Sequence, residues 1–204
     1  MEISKKKTLI ILDWDDTLFP TNWVMKNGIN LMVPNSRDQY STYFNHLDRV
    51  LYPFLKKLIK LGKVIIVTNA MTEWVNASSE VLPHTYHLLK NVKIVSARGL
   101  YRNQTQKMMD WKIMAFRDVV NTEFTNTNLM NVISVGDAEY EYQALIALNQ
   151  EKKGIKKYLK SVKFIREPSH DTLIDQIEVL NFAIDDVWGK CEHLDLKFDI
   201  HKRK

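Results

Sequence analysis

The 204-residue chain, 45% hydrophobic and 26% charged, has the size and make-up of one soluble globular domain able to bury a sizeable core. Its net charge of +5 and pI near 9.1 imply a mild attraction to phosphorylated, acidic or membrane-surface partners, too weak by itself to indicate nucleic-acid binding. The single cysteine, Cys191, excludes an internal disulfide, and no signal-peptide core or apolar run of spanning length is visible, so a cytoplasmic protein, at most peripheral to a membrane, is expected.

Met1 to Lys7 reads as a frayed basic leader, followed by an apolar run, Leu9 to Leu12, of the length of a buried strand. Thr21 to Pro34, punctuated by Asn, Gly and Pro, is expected as a loop or short hairpin flap. From Ser36 to Leu61 apolar residues recur at helical spacing, with Pro53 expected to divide the stretch or open a second helix and Gly62 to close it as a C′ residue. A second buried strand, Val64 to Val67, ends at Thr68-Asn69. Helices are expected over Thr72 to Leu82 and His84 to Leu89, then a third strand, Val92 to Ser96, and a turn at Arg98-Gly99. Met109 to Val120 is helical, and Asn121 to Asn128 is a polar loop. The fourth strand, Val132 to Val135, runs into Gly136-Asp137 and a helix to about Leu148. A lysine-rich connection, a fifth strand near Val162 to Ile165, a helix from Ser169 to about Trp188 and a basic tail over 191–204 complete the chain. Strands alternating with helices give an α/β, doubly wound, mostly parallel sheet. Ligands in such sheets bind beyond the carboxyl ends of the strands, where Asp13, Thr68 and Asp137 all fall.

Directly after the first strand stand three carboxylates, Asp13, Asp15 and Asp16. That much negative charge at the mouth of an apolar core is costly without a cation, and an oxygen-seeking divalent ion such as Mg²⁺ is the natural partner. A Ca²⁺ loop of the EF-hand kind would also place Asp13, Asp15 and Thr17 at its first, third and fifth positions. It fails at the sixth, Leu18 in place of Gly, and at the twelfth, Val24 in place of Glu.

The stretch from Asp13 to Thr17 resembles the D-x-D-x-T motif of the haloacid dehalogenase-like (HAD) hydrolases, and three further pieces follow in the family's order. These are Thr68 closing a strand, a lysine near a helix start (Lys112, with Lys107 as competitor), and Gly136-Asp137 with Glu141. The resemblance implies phosphoryl transfer through a covalent carboxylate, with Asp13 as nucleophile and Asp15 as general acid and then base. It implies Mg²⁺ held by the side chain of Asp13, the backbone carbonyl of Asp15, and Asp137. Thr68 and the backbone N–H groups after it, at Asn69, would bind phosphate oxygens, and Lys112 would hold them and Asp13 electrostatically. Glu141 and Asp16 are expected behind these groups or facing solvent, with Asp16 and Glu139 read as surface charge. The chain departs from the commoner pattern in having Asp16 where many relatives have Gly, and Glu141 in place of Asp.

Neither interval between motifs has room for a full cap domain, although the flap and a small helical lid fit within residues 20–48. The likeness is therefore to the capless branch, and within it to magnesium-dependent phosphatases, some of which act on phosphotyrosine. Their D-x-D-x-T-L-[WF]-P opening is similar to Asp13 to Pro20, and their L-Y-P to Leu51-Tyr52-Pro53. A phosphorylated protein substrate is expected, with phosphotyrosine preferred and a small phosphometabolite as the alternative; nucleic acid is not expected. Trp14, Phe19, Trp23 and Tyr101 are candidates for an aromatic slot. Arg98 and Arg102 are candidates for gripping acidic residues beside a phosphosite. His84 and His87, three apart, are read as structural before they are read as a metal pair. The lysines between Lys152 and Lys163 are read as a solvated connection, with a contact to an anionic membrane or acidic partner as the alternative.

Overall fold

The computed structural model describes residues 2–124, 129–150 and 157–199. Six parallel strands form one sheet in the order β3-β2-β1-β4-β5-β6: β1 (Thr8–Leu12), β2 (Lys63–Thr68), β3 (Lys93–Ser96), β4 (Asn131–Gly136), β5 (Tyr158–Lys163) and β6 (Leu194–Lys197). Successive strands step one way from β1 to β3, then restart beside β1 at β4 and step the other way. The crevice between the carboxyl ends of β1 and β4 is thus the topological switch point, where open α/β sheets bind ligands.

The two faces of the sheet are covered separately, as the alternation of side chains along a strand requires. Leu9 and Ile11 of β1, with Ile65 and Val67 of β2, pack under Trp111, Ala115 and Phe116 of α7 (Met108–Glu123) and Leu145 of α8 (Glu139–Ala147). Ile10 and Leu12, with Val64 and Ile66, face Phe44, Leu51, Leu55 and Leu58 of α3 (Ser41–Leu61) and Leu173, Ile177 and Leu180 of α9 (His170–Gly189).

Several elements differ from expectation for identifiable reasons. The expected flap contains α1 (Thr21–Lys26), because the Asp16 carboxylate accepts the Asn22 N–H (3.0 Å) in the helix's first turn. Gly28, at φ +64°, follows the helix end, and a short helix α2 (Pro34–Asp38) comes next. Pro53 does not divide α3. It lies on the exposed side, one turn beyond exposed Arg49, whose carbonyl loses its helical partner but can be met by water. Gly62 follows α3 with extended backbone, and a glycine is needed there because a Cβ would stand 2.7 Å from Thr8 Cγ2.

Helices α4 (Thr72–Ser79) and α5 (Pro83–Leu89) follow β2 as expected. The expected turn after β3 is α6 (Ala97–Tyr101), capped by Ser96, whose Oγ accepts the Gly99 N–H at 2.9 Å and donates to the Ala70 carbonyl at 2.7 Å. The fifth strand starts earlier than expected because its lysines are not solvated. Lys160 is fully buried with Nζ on the Trp188 carbonyl (2.8 Å), and burial pushes its ammonium down to about 8. Lys157 Nζ reaches the Leu148 carbonyl and Lys163 pairs with Glu139, so these three supply no free basic patch; Lys152, Lys153 and Lys156 lie outside the described residues. Leu194–Lys197, expected as tail, is the sixth strand, while 200–204 lie outside the described residues. No helix among the described residues is long and apolar enough to cross a membrane.

Phe44 stacks on Phe19, meets Trp23 edge-on and is 2% exposed. Phe44→Ala is expected to lower unfolding stability by about 3–5 kcal/mol, read by urea denaturation; a loss below about 1 kcal/mol would contradict this account of the core.

Candidate active site and metal centre

β1, β2 and β4 are neighbours in the sheet, so Asp13 after β1, Thr68 ending β2 and Asp137 after β4 emerge side by side. The Asp13 N–H donates to the Val135 carbonyl at 2.9 Å, which extends the β1–β4 ladder up to the candidate nucleophile. Lys112, on α7, is 1% exposed and threads beneath the crevice. Its Nζ donates to Asp13 Oδ1 (2.8 Å) and to the Val67 carbonyl (2.6 Å), and it pairs with Glu141 Oε1 at 2.8 Å. Two of the ammonium protons are thus hydrogen-bonded, and the third contact is an ion pair. Lys107, the competing lysine, is exposed at the start of α7 with no such contact, so the geometry belongs to Lys112.

Glu141 does not face solvent. It is 4% exposed and bridges two elements, with Oε1 on Lys112 and Oε2 accepting the Ala138 N–H (3.2 Å) at the start of α8. Gly136 makes room for it, since a Cβ there would lie 2.3 Å from Glu141 Cγ. Carboxylate oxygens of Asp13, Asp137 and Glu141 all fall within 4.8 Å of one another. Burial raises the Asp13 carboxyl well above its usual range against the pull of Lys112, with Glu141 and Asp137 adding to the rise. Burial, then Glu141 and Asp16, push Asp137 up to about 7. One ammonium is too little positive charge for this cluster. The donor set, all hard carboxylate oxygen, fits a small divalent cation such as Mg²⁺.

Asp15 is held apart from the cluster. Its Oδ1 accepts from Thr21 Oγ1 (2.5 Å) and from Trp74 Nε1 (2.8 Å), and its Oδ2 from Thr68 Oγ1 (3.4 Å). Thr68 Oγ1 in turn accepts the Ala70 N–H at 2.9 Å. The turn that carries Asp15 winds around the Trp14 carbonyl, which accepts the N–H groups of Leu18 and Phe19 at 2.9 and 3.0 Å. Asp16 is the left-handed residue of this turn, at φ +53°, which explains why glycine suits the position and why a short carboxylate can replace it. The expectation of a surface charge there is wrong. Asp16 is 3% exposed, and both its oxygens are taken by Asn22. Glu139, by contrast, is exposed and pairs with Lys163.

The expected aromatic slot is absent. Trp14 and Phe19 have no exposed surface; their rings stack parallel at 5.9 Å in the core, and the Trp14 indole N–H goes to Ser78 Oγ. Trp14 therefore has no side-chain surface to offer a substrate. Tyr101 is buried with its hydroxyl on Asp118, and Trp23 packs among Tyr40, Tyr43, Phe44 and His170. Asn69 stands half-buried beside Thr68, with an enclosed amide oxygen that no described group meets. Thr17 Oγ1 is likewise enclosed without a partner. Arg98 and Arg102 are exposed on and just after α6, with no contact to the carboxylate cluster among the described residues. His84 pairs with Asp48, which also accepts the N–H groups of His84 and Thr85 at the start of α5.

Trp74 and Thr21 went unnoticed in the sequence because nothing in its periodicity marks a side chain that crosses to another loop. For Glu141 the spacing of four from Asp137 was the available signal, although Asp137 itself precedes α8 and does not share its face.

Without a bound cation, the folded protein holds the Asp137 proton more tightly than an unfolded chain, whose carboxyl titrates near 3.8. The stability this contributes is full at low pH and is lost as pH rises through about 7. With metal chelated, the melting temperature should therefore fall between about pH 5.5 and about pH 7.5, and Mg²⁺ should remove most of the drop. An equal melting temperature at both pH values, or no response to Mg²⁺, would contradict this reading of the cluster.

Among known proteins, the profile of the NLI interacting factor-like phosphatases matches residues 8–188, which take in β1 to β5 and every carboxylate of the crevice. No curated protein matches the chain. The chain belongs to the NLI interacting factor-like phosphatase family, a capless family of HAD-like phosphatases.

Proposed function

We propose that the chain is a Mg²⁺-dependent phosphomonoesterase that works through an aspartyl-phosphate on Asp13 and acts on phosphorylated protein. The observation that supports this most directly is the division of labour between two carboxylates two residues apart. Asp13 is clamped by Lys112 at 2.8 Å, while Asp15 is held by neutral donors with no cation on it among the described residues. The ammonium fixes one Asp13 oxygen at the strand end, as a nucleophile requires, whereas Asp15, held by hydroxyl and indole donors outside that clamp, is placed to exchange a proton with the leaving group.

In the first half-reaction an Asp13 carboxylate oxygen forms a bond to phosphorus, the bond from phosphorus to the ester oxygen breaks, and Asp15 gives its proton to the departing oxygen. In the second, Asp15 takes a proton from water, the water oxygen bonds to phosphorus, and the Asp13–phosphorus bond breaks. The two steps leave Asp15 protonated again, ready for the next turnover. Asp13 and Asp137 would hold Mg²⁺, with the Asp15 carbonyl as a further ligand and Glu141 within reach; when bound, the ion neutralises charge on the phosphoryl oxygens. Thr68, the backbone at Asn69 and Lys112 would bind the same oxygens.

Protein rather than metabolite as substrate is supported by the open rim. The segments between β1 and β2 form α1, α2 and α3, and their apolar residues Val24, Leu31 and Leu47 join the core instead of building a separate cover. The preference for phosphotyrosine rests on the likeness of Asp13 to Pro20 to the magnesium-dependent phosphatases, with no support from Trp14 or Phe19.

Asp13→Asn should leave the fold intact and lower kcat on an aryl phosphate by more than about a thousandfold. The substrate class is read from phosphotyrosine and phosphoserine peptides and sugar phosphates, each assayed with Mg²⁺ and with chelator. Turnover should be highest on phosphotyrosine peptide and lost with chelator. Full activity in Asp13→Asn would refute the nucleophile, and fast turnover on sugar phosphates alone would refute the protein substrate.

A further inference from the structure

Trp74 lies on α4, outside every motif, yet its indole N–H donates to Asp15 Oδ1 at 2.8 Å. We propose that Trp74 is a positioning residue that sets which oxygen of Asp15 meets the leaving group. The inference rests on the phosphatase reading above and deepens it.

The two oxygens of Asp15 are not equivalent. Oδ1 accepts two hydrogen bonds, from Thr21 Oγ1 (2.5 Å) and Trp74 Nε1 (2.8 Å), whereas Oδ2 has one long contact from Thr68 Oγ1 (3.4 Å). A hydroxyl can rotate to donate or accept, but an indole N–H only donates. A proton on Oδ1 would face that donor directly, so any proton that Asp15 carries in turnover sits on Oδ2, on the side of Thr68. The rest of the structure keeps the indole in place. Trp74 meets Phe19 edge-on at 6.1 Å, and Phe19 is itself stacked between Trp14 and Phe44. Ser78 Oγ donates to the Trp74 carbonyl at 2.7 Å while accepting the Trp14 indole N–H at 2.9 Å. The aromatic residues expected to receive a substrate ring thus form the bed that aims the general acid.

A misaimed acid slows departure of a poor leaving group and hardly affects one that leaves without a proton, and this separates positioning from general damage. Trp74→Phe keeps the ring against Phe19 and removes the N–H. With Mg²⁺ present, its kcat/KM on an alkyl phosphate should fall by about ten- to a hundredfold, the range for a hydrogen bond to a charged group, and on 2,4-dinitrophenyl phosphate by less than about threefold. Thr21→Val, which removes the other donor from Oδ1 on a different element, should show the same skew, and serves if Trp74→Phe proves poorly folded by near-UV circular dichroism. Equal losses on both substrates, or no loss on either, would overturn the positioning role. An unskewed Trp74→Phe beside an inactive Asp13→Asn overturns this inference and leaves the phosphatase reading standing; no hydrolysis by the unsubstituted chain overturns both.

Discussion

The ammonium of Lys112 is the contact on which the site depends. Buried beneath the sheet's carboxyl end, it joins the carboxylate after β1, a carbonyl of β2 and a carboxylate of α8, so three elements from different parts of the chain converge on one nitrogen. A lysine so enclosed loses its hydration, and the two carboxylates it touches more than offset that loss, raising its affinity for a proton. The balance is incomplete in the other direction. Asp137 and Asp16 add negative charge to the same crevice, and burial first, with neighbouring carboxylates adding to it, raises the affinity of Asp13 and Asp137 for protons. A small divalent cation is the physical answer to such a cluster, and the crevice is where the doubly wound topology would place it.

Two separate networks hold the two carboxylates, as the different tasks proposed for them require. Asp13 belongs to the charged network under the crevice, while Asp15 belongs to a neutral one made of a threonine, an indole and a second threonine. The tight turn that Asp15 enters, with Asp16 in the left-handed conformation, lets near neighbours in sequence live in such different surroundings. Family membership and capless build agree with this arrangement, in which a phosphate group would meet the strand ends directly.

Much of this was legible in the sequence, because the strongest signals were local. The runs Leu9 to Leu12 and Val64 to Val67 announce buried strands, and the acidic residue after a strand end announces the crevice. What was not legible depends on contacts between distant segments. The burial of Lys160 in β5 rests on the Trp188 carbonyl, and the short alternation of Leu194–Lys197 reads as tail until β5 is there to pair with it. Trp14 and Phe19 look like exposed aromatics beside a catalytic motif, but the turn at Asp16 folds both rings back into the core. The helix α1 escaped notice because its cap comes from Asp16, several residues upstream of the usual position.

The central claim is that the crevice holds more buried negative charge than Lys112 can balance, and that a divalent cation makes up the difference at Asp13 and Asp137. Anomalous scattering from crystals grown with Mn²⁺ in place of Mg²⁺ tests it most directly. The account predicts one strong peak within about 2.0–2.3 Å of an oxygen of each of these two carboxylates. A crevice with no peak, or an ion bound only to exposed carboxylates elsewhere on the surface, would contradict it.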